Sequence, residues 1–399
     1  MEFGIERFCK DSRWIKKIKN QRVALLAHPA SVDGNLHHSL ELFIKKRIRL
    51  VSVFGPQHGM LGDKQDNMIE SEDYIDPVYK IPVFSLYGQV RRPTEQMMNT
   101  FDVIFIDLQD VGTRIYTYVT TLKYVLEEAA RLRKTVVVLD RPNPIGRPVE
   151  GTLLREGYES FVGAGPLPMR HGLTMGELAL WFGKSFKLEL DLQIVKMKAY
   201  FPDKKPGFGW PLGRTWVNPS PNASHLNMAR CFPGTVLLEG THLSEGRGTT
   251  RPLEMVGAPG LPCQKILSEM EKMKPEWLMG AKYRLCHFLP MFQKHEGKIC
   301  SGIHIHTDHG SYQHTKFRPY RWMALFFKAL RKIDPDFEIW RDFHYEYEKN
   351  RLAIDLINGS PILREWVEDS SSRVGDFDKI LMADEKKWIQ TRKPFLLYR

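Results

Sequence analysis

The stretch Phe101 to Tyr118, FDVIFIDLQDVGTRIYTY, constrains the fold more than any other part of the chain. Val103 to Ile106 is an unbroken apolar run with β-branched and aromatic members. Such a run predicts a strand covered on both faces, as in a parallel sheet sandwiched between helices. The sequence then turns polar at Asp107, Gln109, Asp110 and Arg114, and a helical pattern follows with Val119, Leu122, Leu126 and Ala129 on one face. Ligands of open α/β sheets bind beyond the carboxyl ends of the strands, so this strand exit is the first place to look for chemistry.

The same rhythm recurs. Val23 to Ala27 ends in His28-Pro29, and Leu50 to Phe54 ends in Gly55-Pro56-Gln57-His58-Gly59. Thr135 to Leu139 ends in Asp140-Arg141-Pro142-Asn143. If these strands are parallel, His28, Gln57, His58, Asp107, Gln109, Asp110, Asp140, Arg141 and Asn143 all lie along one edge of the sheet. The competing reading of any one of them is a helix cap or a turn former; the grouping is what points to a site. A long polar loop through Gln65, Asp66, Asn67 and Glu70 precedes Ile81 to Phe84, and loops of that length are commonly functional or disordered.

Past Gly151, glycine- and proline-rich connections dominate. Thr174 with Glu177 forms a capping-box pattern, which assigns Glu177 to structure. Asn218 to Asn222 is too proline-rich for a helix or strand interior. Glu239 to Glu254, EGTHLSEGRGTTRPLE, concentrates charge and glycine in a way that suits a binding loop more than a surface turn. Beyond about Pro252 the pattern is α+β, with a strand over Cys300 to Thr307 and helical pieces at Trp322 to Leu330 and Ile354 to Ile357. His304 and His306 share a face of that strand and read as two exposed strand histidines, with no tightly spaced carboxylate or cysteine to complete a metal site.

A chain of 399 residues with 42% hydrophobic content is long enough for two cores. We therefore expect an α/β, Rossmann-like parallel-sheet domain over residues 1–230 and a smaller α+β domain over 231–399. The net charge of +11 is dispersed, without a zinc-finger spacing, dense basic run or RNA-binding aromatic motif, so nucleic acid is not an expected partner. Five widely spaced cysteines are odd in number and argue for reduced thiols rather than a disulfide framework. No apolar run approaches the ~20 residues of a membrane span, and the first residues lack the apolar segment of a secretory signal, so the expectation is a cytoplasmic chain. Gly163-Ala164-Gly165-Pro166 fails as a dinucleotide fingerprint, and no Walker loop or Gly-x-Ser-x-Gly elbow is present. No cofactor and no metal are expected. A cleft rich in carboxylates, amides and arginines suits a polyol or sugar, and two carboxylates can perform acid and base steps on a glycosidic bond.

Several ordered motifs carry a resemblance: Gly55-Pro56-Gln57-His58-Gly59, Leu86-Tyr87-Gly88 with Arg92-Pro93-Thr94, Asp107 to Arg114, Leu139 to Pro144, Ser220-Pro221-Asn222, and Glu239-Gly240-Thr241 with Ser244 to Thr249. From about Arg22 onward the chain resembles the NamZ family of exo-β-N-acetylmuramidases, once a domain of unknown function. The resemblance implies a Rossmann-like domain, a smaller carboxyl-terminal domain, and release of N-acetylmuramic acid from the non-reducing end of peptidoglycan-derived glycans. Relatives resemble Pro-Glu-His-Gly where this chain has Gln57, so the resemblance moves the acid role to Glu70, with Asp110 or Glu245 as partner. Candidate substrate-binding residues are Gln57, His58, Asp107, Arg114, Asp140, Asn143, Asn222, Glu239, Arg247 and Arg251, with Arg114, Arg247 or Arg251 pairing the lactyl carboxylate. The alternative is a non-catalytic carbohydrate-binding protein built on the same cleft.

Overall fold

The computed structural model describes residues 1–66, 68–348 and 350–398; Asn67 of the polar loop lies outside them. The amino-terminal half is built on β1 (Val23–Leu26), β2 (Leu50–Gly55), β3 (Tyr74–Ile75), β4 (Pro82–Ser85), β5 (Val103–Ile106) and β6 (Thr135–Leu139). Two further strands, β7 (Glu150–Leu153) and β8 (Pro168–Arg170), form a separate antiparallel ribbon before β9 (Asp191–Val195) returns to the main sheet. The seven-stranded sheet runs β3-β4-β2-β1-β5-β6-β9, parallel throughout except for β3.

The apolar runs are continuous because alternate residues serve two different cores. Ala24, Leu26, Ile104, Ile106, Val136 and Val138 face one, and Val23, Leu25, Val103, Phe105, Val137 and Leu139 face the other. Helix Tyr118–Arg131 covers the first face with Val119, Leu122, Leu126 and Ala129, all fully buried. On the second face the Phe8 and Phe43 rings pack against Phe105 at 4.9 and 5.2 Å. The chain winds outward from β1 through β2 to β4, then reverses at β5. The gap between β1 and β5 is therefore the topological switch point, where the strand-end loops diverge and leave a crevice.

The carboxyl-terminal half holds β10 (Met255–Ala258), β11 (Lys282–Phe288) and β12 (Cys300–His306) in an antiparallel sheet ordered β10-β12-β11. Helix Pro319–Ile333 supplies a broad buried face from Tyr320 to Leu330. The expected division at 230/231 falls inside helix Leu226–Thr235, and one core continues from Ala24 to Trp388 through both halves. Tyr398 returns to the first half, where its hydroxyl donates to Asp140 at 2.6 Å. Among the described residues all five cysteines are free thiols, and no helix is long and apolar enough to cross a membrane.

His304 departs from expectation. It is buried on β12, 3.5 Å from the Glu254 carboxylate, with the His306 ring 4.0 Å away. The strand pattern places both histidines on one face, but only tertiary packing brings Glu254, just before β10, and Asn227, on helix Leu226–Thr235, together beside His304.

Candidate active site

Most of the polar residues at the sheet edge are consumed in building it. Asp107 is fully buried and takes a bidentate pair from Arg141, at 2.5 Å from Nε and 2.9 Å from Nη2, as well as a hydrogen bond from Ser39. Asp140 accepts from Tyr398, from Thr174 Oγ1 at 2.8 Å and from the Gly176 amide at 2.8 Å, which caps helix Met175–Ser185. Burial lifts its carboxyl to about 6 against those three donors. Asn143 folds its own loop, donating to the Leu173 carbonyl and accepting from the Ile145 amide, both at 3.0 Å. Asp110 likewise accepts from the Gly112 amide at 2.7 Å. Asp107, Asp140 and Asn143 thus spend their hydrogen bonds on scaffolding rather than facing open space: Asp107 links two strand ends through Arg141, Asp140 ties down a distant helix start and Tyr398, and Asn143 holds its own loop.

Arg114 requires a correction too. Its guanidinium is buried and donates to the carbonyls of Thr152, Leu167, Ile357 and Asn358, at 2.7 to 3.0 Å. These bonds join the β7–β8 ribbon to helix Ala353–Asn358 and take both terminal nitrogens; only Nε, itself buried, has no partner among the described residues, and Arg114 lines neither of the cleft's two open spaces. Burial without a carboxylate partner pulls this guanidinium down to about 10.

The open space lies just beyond this scaffold. A narrow recess of about 50 Å³ sits between the loop after β2, with Gln57 and His58, and the start of helix Tyr118–Arg131. Asn222, Glu239, Arg247, Tyr345 and Glu346 complete its wall. It adjoins an outer chamber of about 430 Å³ lined by Asp66, Glu245, Gln293, Lys294 and Arg341, and Glu239 and Tyr345 belong to both. Residues from both halves of the chain therefore form one cleft at the sheet edge where β2 ends.

Each wall residue presents a defined chemical face. The Thr117 hydroxyl donates to Gln57 Oε1 at 2.6 Å; among the described residues the Gln57 amide nitrogen has no partner, and it is a donor for the recess. His58 takes a left-handed backbone (φ 69°) in a turn closed by a bond from the Gly59 amide to the Pro56 carbonyl at 2.9 Å. Its Nδ1 lies 2.8 Å from the Lys64 carbonyl and must carry the proton there. Burial holds the imidazole down to about 4, so Nε2 is an unprotonated acceptor. Asn222 anchors the polar loop by donating to the Gln65 carbonyl at 2.9 Å.

Across the recess, Arg247 Nη2 donates to Glu239 at 2.6 Å and Nε to Glu245 at 3.0 Å. Its Nη1 has no partner among the described residues. Burial opposes charge on Glu245, but Lys294 at 2.7 Å and Arg247 override it and hold the carboxyl below its ordinary value. Glu239 also accepts from the Tyr345 hydroxyl at 2.8 Å. Next to it in sequence, Glu346 accepts from Tyr87. Burial first, and the nearby Glu239 charge, push the Glu346 carboxyl up to about 7. The recess thus combines a fixed guanidinium with one open edge, a neutral imidazole and a carboxyl that holds its proton near neutrality.

Comparison with known proteins supplies the lineage of this cleft. Two family models, for the amino-terminal and carboxyl-terminal parts of exo-β-N-acetylmuramidase NamZ, match residues 23–227 and 230–398. The chain belongs to the NamZ family. It is 35% identical to the peptidoglycan β-N-acetylmuramidase NamZ of Bacillus subtilis strain 168, an alignment covering 100% of this chain and 91% of that one. Crystal structures of two DUF1343 family proteins of Bacteroides fragilis share the fold, with TM-scores of 0.84 and 0.76 at 28% and 25% identity. Each alignment spans 100% of this chain and 99% of the other.

Within this NamZ-family fold, the polar loop does not bring Glu70 to the recess. Its side chain is 49% exposed and pairs with Arg91 at 3.1 Å and the Tyr347 hydroxyl at 2.6 Å. Those two partners, Tyr347 first, lower its carboxyl below the ordinary range, the opposite of what a proton donor needs. Asp110 lies behind the recess wall, and Arg251 is half-exposed beside His225 and Glu254, lining neither space. Gln57, His58, Asn222, Glu239, Arg247 and Glu245 are brought together as expected. Sequence reasoning passed over Tyr345, Glu346 and Lys294. The only signal for the first two is the aromatic and acidic run His344-Tyr345-Glu346-Tyr347-Glu348, which has no periodicity to explain it.

Proposed function

We propose that this cleft hydrolyses the β-glycosidic bond of a terminal N-acetylmuramic acid in peptidoglycan-derived glycans. The observation that carries the reading is Arg247, buried in the recess wall, fixed by two carboxylates and left with one open guanidinium edge. N-acetylmuramic acid differs from N-acetylglucosamine by a lactyl carboxylate, and a guanidinium held in place meets such a group with a directional, charge-assisted bond. The narrow recess suits a substituent and the outer chamber a sugar ring, with Glu239 between them. Family membership supports the same assignment, as does the activity named for the Bacillus subtilis relative.

One feature favours a second reading, a non-catalytic carbohydrate-binding protein: Gln57 presents an amide in the recess where the resemblance implies a carboxylate. Incubation with a chromogenic β-N-acetylmuramide separates the two. Chromophore release in proportion to protein supports hydrolysis. Saturable binding with the glycoside recovered intact supports the binding protein.

A further inference from the structure

We infer that Glu346 is the proton donor to the leaving oxygen, an assignment that rests on the hydrolase reading above. A glycosidase needs one carboxyl that is protonated, faces the substrate and is fixed in direction. The carboxyls of this cleft differ sharply in those respects. Glu245 is held ionised by Lys294 and Arg247, Glu239 is occupied by Arg247 and Tyr345, and position 57 is an amide. Glu70 faces Arg91 and Tyr347 outside the recess.

Glu346 meets all three requirements. It is 7% exposed and lines the recess. Its turn is closed by the Glu348 amide on the Tyr345 carbonyl at 3.0 Å. Glu346 and Tyr347 both hold left-handed backbones, with φ of 48° and 69°. Two consecutive non-glycine residues in that region cost energy and persist only where the surroundings dictate them. Here four side chains do so. Tyr345 is tied to Glu239 and Tyr347 to Glu70, while Arg91 lies 4.3 Å from the Tyr347 ring and 4.4 Å from the Tyr87 ring. Tyr87 in turn donates to the Glu346 carboxyl itself. The charged and titratable groups facing Glu346 are Tyr87 and Arg91 from the loop after β4 and Glu239 from the opposite wall; His58 and Arg247 share the recess. Burial and Glu239 outweigh Tyr87 and Arg91, which keeps the proton on the carboxyl up to about pH 7.

In the step assigned, the bond between the anomeric carbon and the glycosidic oxygen breaks with its electron pair on the oxygen. The Glu346 proton passes to that oxygen and completes the hydroxyl of the departing sugar. Water then supplies hydroxide to the anomeric carbon, and its remaining proton restores Glu346 by the end of the cycle.

The test compares wild type and Glu346→Gln on an N-acetylmuramyl-β-1,4-N-acetylglucosamine disaccharide and on a 4-nitrophenyl β-N-acetylmuramide, whose phenolate needs little protonation to leave. The variant is expected to lose at least ~10²-fold in kcat on the disaccharide, to lose far less on the aryl glycoside, and to lose the basic limb of the pH profile. Equal losses on both substrates, or an unchanged basic limb, would overturn the assignment. Glu346→Asp, which keeps a titratable carboxyl, guards against a folding defect: it is expected to retain a basic limb, and its absence in a folded Asp variant counts against Glu346. A wild-type protein inert on both substrates overturns the hydrolase reading along with this one. An active wild type matched by Glu346→Gln overturns the donor assignment alone.

Discussion

The Tyr87 hydroxyl donates to both carboxyl oxygens of Glu346 at 3.1 Å, which ties a residue just past β4 to a turn 259 positions later in the chain. This bond favours the ionised carboxyl, against burial and Glu239, which favour the neutral one. Tyr87→Phe is therefore expected to shift the basic limb of activity upward in pH, at a stability cost of about 1 kcal/mol. Because the folded Glu346 carboxyl lies above its ordinary value of 4.5, the native state binds more protons than the unfolded state between there and about 7. Its contribution to stability is thus present at low pH and lost as pH rises through that window. Thermal midpoints across pH, with and without Glu346→Gln, measure that loss.

Glu70 is a brace for the turn that carries Glu346. Its ion pair with Arg91 is half in solvent, and exposed pairs contribute up to about 1 kcal/mol. Glu70→Gln is expected to lower kcat by less than ~10-fold, the rate equivalent of that energy. A loss beyond ~10²-fold on the disaccharide, with the aryl glycoside spared, would return the acid role to Glu70.

Arg247→Ala is expected to raise KM for a muramic glycoside by roughly 10- to 100-fold, the range for one lost hydrogen bond to a charged group. The substitution also removes the counter-charge of Glu239 and Glu245, but that disturbance acts alike on an N-acetylglucosaminide. The ratio of the two KM changes is therefore the measurement, and a ratio near one excludes Arg247 as the lactyl partner.

Arg114→Met removes the guanidinium from four buried carbonyls; that of Leu167 keeps the Leu154 amide and that of Asn358 the Thr152 hydroxyl, while those of Thr152 and Ile357 lose the side-chain donor they have. A loss of at least ~2 kcal/mol is expected, since each of the latter two costs about 1 to 3 kcal/mol when left without a donor. Denaturant unfolding measures it, while KM of the surviving folded fraction should be unchanged.

The sheet could be read from the sequence because burial on two faces writes itself as an unbroken apolar run, as in Val103 to Ile106. Gln57, His58, Asn222 and Arg247 stand out in the sequence for another reason: each sits in a turn rich in glycine or proline, and Glu239 opens the charged, glycine-rich stretch that holds Arg247. That Asp107, Asp140 and Arg114 lie away from the open space was not legible, because residue type at a strand end does not say whether a side chain faces a cleft or a partner elsewhere in the fold. For Arg114, four carbonyls from three distant segments settle that question, and no local pattern encodes their convergence. Glu346 was missed for the same reason. Its importance comes from Tyr87, Glu239 and burial, all supplied by tertiary folding.

The most direct test of the account is product analysis by mass spectrometry after incubation with the N-acetylmuramyl-β-1,4-N-acetylglucosamine disaccharide and with its inverse, N-acetylglucosaminyl-β-1,4-N-acetylmuramic acid. Free N-acetylmuramic acid and N-acetylglucosamine are expected from the first disaccharide, and no cleavage of the second. Cleavage of the second at a comparable rate, or recovery of both disaccharides intact from a protein that binds them, would contradict it.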